Sequence, residues 1–132
     1  MTMRLPSNLP AETELLVERV IGCAIEVHKA LGPGLLEAIY CQAMAIELRH
    51  HGLRFEKERK VPLLYRGQPL RPHYIDLIVE GAVVVELKAV ERLRPVHGAQ
   101  VLSYLRAANV RVGLLMNFNA EWLKAGLRRF VL

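Results

Sequence analysis

Cysteine is scarce in this sequence: only Cys23 and Cys41 occur, each beside apolar residues in a helix-like stretch. That pattern argues against a disulfide framework or a cysteine-built metal site. It leaves both thiols as small core hydrophobes in a reducing, cytoplasmic compartment. No apolar run reaches about 18 residues, so no membrane span is expected. The opening MTMRLPSNLP is too polar and proline-rich for a signal peptide. None of His28, His50, His51, His73 and His97 has a partner at zinc-site spacing. Gly32-Pro33-Gly34 has no phosphate-loop continuation, and Ser103 has neither a Gly-x-Ser-x-Gly elbow nor an evident base. Aromatic residues make up 6%, too few beside the basic residues to favour stacking on single strands.

What is present is a globular composition, 52% apolar and 23% charged, with a net charge of +5. Such an excess permits a polyanionic partner without requiring one. Residues 1–11 read as a flexible N-terminal arm and 12–132 as a single domain. Leu16, Val20, Cys23, Val27 and Leu31 recur at helical spacing, and the glycines at 32 and 34 end that helix. A second helix fits Leu35 to about His51. Strands are expected over Leu53–Leu64, His73–Val79 and Ala82–Leu87, the last two joined by a tight turn at Glu80-Gly81. A helix starting at Pro95, a strand over 110–116, and a tail with a short helix around Trp122 and then a strand complete the order ααβββαβ. That order implies an α/β fold, a mixed sheet flanked by helices.

Within VVVELKAV (83–90), strand alternation places Val84, Glu86 and Lys88 on one face. A hairpin turning at Glu80-Gly81 brings Asp76 of the preceding strand opposite Glu86. Two carboxylates close together in a half-buried place are costly unless a cation lies between them. Hard oxygen ligands of this kind suit Mg²⁺ or Mn²⁺. On the tripeptide alone, which is a common one, a solvated edge carrying a simple Glu86–Lys88 ion pair is the favoured reading, and only the company of other residues lowers it. Glu37 shares a helix stripe with Tyr40, Cys41, Met44 and Leu48, where it either favours the helix dipole or serves a site. Gln100 and Tyr104, one helical turn apart, form a polar stripe on the helix that follows the Glu-x-Lys strand; a solvated helix face is the plain alternative.

The stretch Gly34-Leu-Leu-Glu37-Ala-Ile-Tyr40 matches the motif that names the GxxExxY protein family. The wider layout, with IDLIVEGAVVVELKAV, HGAQVLSYL and VGLLMNF, resembles that family over roughly residues 12–118. The family is placed in the PD-(D/E)XK nuclease-like superfamily, so the resemblance implies a restriction-endonuclease-like fold. It also implies roles: Asp76, Glu86 and Glu37 as metal ligands, Lys88 as the lysine of the Glu-x-Lys pair, and Gln100 and Tyr104 as the Gln-xxx-Tyr helix. The function expected is a Mg²⁺-dependent (or Mn²⁺-dependent) nuclease acting on DNA. The alternative is a non-catalytic module of the same fold that binds nucleic acid or a protein. No membrane association is expected, and a homodimer would enlarge the substrate-binding face of so small a domain.

Overall fold

The computed structural model describes residues 8–132. Residues 1–7 of the expected arm lie outside the described residues. Leu9 is already buried in the core, and the first helix starts two residues later. Two helices, α1 (Ala11–Leu31) and α2 (Glu37–His50), precede the strands β1 (Phe55–Val61), β2 (Leu64–Tyr65), β3 (Gln68–Pro69), β4 (His73–Val79) and β5 (Val83–Lys88). Helix α3 (Pro95–Ala108), β6 (Val112–Asn117), a 3₁₀ turn (Leu123–Gly126) and β7 (Leu127–Val131) follow. Five strands form one mixed sheet in the order β1-β4-β5-β6-β7. Only β5 and β6 run parallel, with α3 as the crossover such a pair requires.

Both faces of the sheet are covered. Val20, Cys23 and Val27 of α1 and Tyr40, Met44 and Leu48 of α2 pack on Leu77, Val79, Val83, Val85 and Leu87. Val101, Tyr104 and Leu105 of α3 cover Ile78, Val84 and Leu115 on the other face. That double cover explains why VVVELK and VGLLMN read as almost unbroken apolar runs. Helix α2 closes with Gly52 at φ +71. The Gly52 amide donates to the Arg49 carbonyl and the Leu53 amide to the Leu48 carbonyl, a Schellman motif. Among the described residues no helix is long and apolar enough to cross a membrane.

Two expectations change. The strand expected over 53–64 stops at Val61, because Pro62 has no N–H to give the ladder. Leu64–Tyr65 instead pairs with Gln68–Pro69 in a separate two-strand ribbon. The short helix expected around Trp122 is a single 3₁₀ turn beginning at Leu123. The chain then forms edge strand β7 antiparallel to β6.

One irregularity positions the site. Ile75 and Ile78, three residues apart, both belong to the α3-side core, which a regular strand does not allow. Their neighbour Leu77 belongs to the opposite side. Opposite this break, β1 carries Glu58 at φ +51, and the β1–β4 register passes from Lys57↔Leu77 to Arg59↔Ile75. Both strands therefore change faces together, at Glu58 on one and Asp76 on the other.

Candidate metal centre

The β4–β5 hairpin turns through Glu80 and Gly81, both at positive φ, with the Ala82 amide donating to the Val79 carbonyl. This is the turn geometry that suits a twisted hairpin, and it sets the register Val79↔Val83, Ile78↔Val84 and Leu77↔Val85. Glu80 is held in its left-handed conformation by accepting from the Arg54 amide at 3.0 Å. The next pair in that register is Asp76 with Glu86. There the backbone ladder ends and side chains take over. The Asp76 amide donates to Glu86 Oε1 at 3.3 Å, and the Leu87 amide donates to Asp76 Oδ2 at 2.8 Å. Each carboxylate thus bonds to the other strand, and the hairpin opens around two acids.

Glu86 is 3% exposed, among the valines and leucines of the sheet. Burial first, and the charge of Asp76 second, push its carboxyl up to about 8. Lys88 Nζ, 3.3 Å from Glu86 Oε2, opposes the rise without cancelling it. A single ammonium does not compensate two carboxylates here. A divalent cation would, and the donor set fits one: the hard carboxylate oxygens of two acids set against each other.

Glu37 stands exposed on the first turn of α2. Partial burial raises its carboxyl, the Asp76 charge raises it further, and Lys88 lowers it. From α2 it is thus within electrostatic reach of Asp76 and Lys88. On α3, the phenol of Tyr104 is pushed up to about 12 by burial, then by Glu86 and Asp76. The charge of Asp76, at the point where β4 changes faces, is felt in both layers, by Glu37 on α2 and Tyr104 on α3. Among the described residues no three His, Cys, Asp or Glu side chains converge into a ready metal cage. The centre is two touching carboxylates with a third acid nearby. That suits an ion such as Mg²⁺, which keeps waters and substrate oxygens among its ligands, rather than Zn²⁺.

Gln100, half-buried, joins Lys88 and Tyr104 in lining a cleft of about 520 Å³ between α3 and the end of β1. Of the six residues singled out in the sequence, the structure joins Asp76, Glu86 and Lys88 by side-chain contacts. It sets Lys88, Gln100 and Tyr104 around the cleft, while Glu37 reaches the group only through its charge. Two contributors went unassigned in the sequence. His73 Nδ1 lies 3.2 Å from the Tyr104 hydroxyl and its ring lines the same cleft. Its only signal was a place three residues before Asp76, on the far side of a face change no periodicity reveals. Asn117, buried at the end of β6, accepts from the amides of Val90 and Asn119 and donates to the Val90 carbonyl. With the Phe118 amide donating to the Lys88 carbonyl, it pins the exit of β5. His97 has a structural role: its Nδ1 accepts from the Arg94 amide at 2.9 Å and caps α3.

A family model described as the PD-(D/E)XK nuclease superfamily matches residues 14–130, from α1 through β7. No curated protein and no solved structure gives a significant match to the chain.

Proposed function

The chain belongs to the PD-(D/E)XK nuclease superfamily, and on that premise we propose that it hydrolyses phosphodiester bonds in DNA with Mg²⁺ or Mn²⁺. The observation that carries this reading is the buried Glu86, set against Asp76 with too little positive charge to balance both. Asp76 and Glu86 would hold the ion, and Glu37 would add a third carboxylate from α2. Such an ion, held by these carboxylates, would supply Lewis-acid polarisation of a phosphoryl oxygen and lower the pKa of water.

The remaining work falls to side chains of this chain. Lys88, 15% exposed at its side chain and 3.3 Å from Glu86 Oε2, would orient the water and offset the charge that grows on the phosphorane-like transition state. Gln100 and Tyr104 hold a phosphate oxygen from the α3 side. Tyr104 keeps its proton to about pH 12 and so serves as an O–H donor at any working pH. Exposed Arg49, Arg54, Lys57, Arg59, Lys60, Arg92 and Arg94 supply salt-dependent backbone contacts. A homodimer would extend that surface, and the elution volume on size exclusion tests it.

The deciding experiment is cleavage of labelled DNA in Mg²⁺ or Mn²⁺ by wild type, Asp76→Ala and Lys88→Ala. Losses of about 10²–10³-fold in both variants, with folding retained by circular dichroism, are expected. Equal rates in all three proteins would assign the cutting to a contaminant. No cutting together with unchanged DNA binding would favour the non-catalytic module.

A further inference from the structure

The cleft beside the centre has walls that a phosphate backbone does not explain. Val61, Pro62 and Leu63 from the end of β1 and Val96 and Ala107 from α3 are apolar, while Lys88, Gln100 and Tyr104 tie the cleft to the hydrolytic groups. Its volume of about 520 Å³ is that of a pocket enclosing one small-molecule-sized group. A duplex offers phosphates to its partner and keeps its bases paired and stacked inside. An apolar wall gains nothing from phosphates and much from an unstacked base.

The β2–β3 ribbon extends this chemistry outward. It leaves the cleft at Leu63 and returns at His73, both lining residues, and the Leu70 amide donates to the Leu63 carbonyl to close its base. On it, Leu64 is 67% and Tyr65 65% exposed. Arg66 and Arg71, also exposed, lie in the turn and on the return path. An exposed aromatic with flanking arginines, leading to an apolar cleft with a lysine inside, is the combination that takes single strands: rings for bases, cations for phosphates.

We infer that the cleft and ribbon seat an unpaired nucleotide beside the scissile phosphate, making single-stranded DNA the preferred substrate. This rests on the nuclease reading for the position of the scissile bond, but the binding preference is measurable without it. The test is fluorescence anisotropy of a fluorescein-labelled single strand and the blunt duplex of the same sequence, at one salt concentration, in Ca²⁺. Tighter single-strand binding by about tenfold or more is expected, the contribution of one stacked base. Ser103→Trp, which fills the cleft from an exposed helix position, and Tyr65→Ala, which removes the outer ring, should each bring single-strand affinity down toward the duplex value. Equal or tighter duplex binding, or wild-type single-strand affinity in both variants, overturns the inference. A single-strand preference without cutting in Mg²⁺ or Mn²⁺ would sink the nuclease reading alone. Cutting of duplex and single strand at equal rates would sink the cleft assignment alone.

Discussion

Replacing Glu86 with Gln tests whether the hairpin holds an uncompensated acid. In the absence of divalent ions the Glu86 carboxyl rises from 4.5 to about 8. Below the lower value, folded and unfolded chains both hold its proton and stability is unaffected. Between the two, the folded chain holds a proton that the unfolded chain has released, so stability falls as pH rises. Above about 8 the full penalty is present. At about 1.36 kcal/mol per pH unit the ceiling is about 5 kcal/mol. Lys88 at 3.3 Å and local relaxation absorb part of it, leaving an expected loss of about 2–3 kcal/mol. For a domain of this size that lowers Tm by roughly 6–15 °C between about pH 5 and pH 8.5. The assay is thermal unfolding followed by circular dichroism in EDTA across that range. Other groups titrate too, so the informative quantity is the difference between wild type and Glu86→Gln, whose amide cannot ionise. The variant should lack this fall, and at pH 8 added Mg²⁺ should raise Tm in wild type more than in the variant. Parallel profiles for the two proteins would refute the account.

Two further outcomes follow from single contacts. Tyr104→Phe removes the hydroxyl bonded to His73; urea unfolding should show a loss of about 0.5–1.5 kcal/mol, and DNA cleavage should drop while the secondary structure is kept. Asn117→Ala strips the partners from both backbone groups of Val90. Its expected cost of about 2–3 kcal/mol, read by the same denaturation, should come with slower cleavage, since Val90 lies two residues past Lys88.

The centre was legible where short-range rules decide. Glu80-Gly81 marks the turn, the turn sets the register, and the register puts Asp76 against Glu86. The two helices and the β5–α3–β6 crossover likewise follow from apolar spacing and from Pro95. What stayed hidden depends on the backbone departing from its own period. The face change at Asp76 brings His73 toward α3 although strand alternation counted from Asp76 sends it the other way. Asn117 reads as the last residue of an apolar strand, and its clamp on Val90 joins positions 27 residues apart. The β2–β3 ribbon is two residues per strand, too short for any periodic signal. Its exposed Tyr65 also shows why a count of aromatics says less than their exposure.

Glu58 gives the fold an unusual kind of constraint. Its side chain is exposed and makes no hydrogen bond among the described residues, so by contacts alone the position is free to vary. Its φ of +51 is nevertheless a conformation that β-branched residues, otherwise the best strand formers, adopt only under strain. Glycine, asparagine and aspartate are the natural occupants of such a backbone. A surface position is thereby ruled by main-chain geometry, and it governs which way the neighbouring wall of the cleft faces. Variants designed to improve β-propensity along the exposed strand Phe55–Val61 would disturb the centre through the backbone of the residue that stands opposite Asp76.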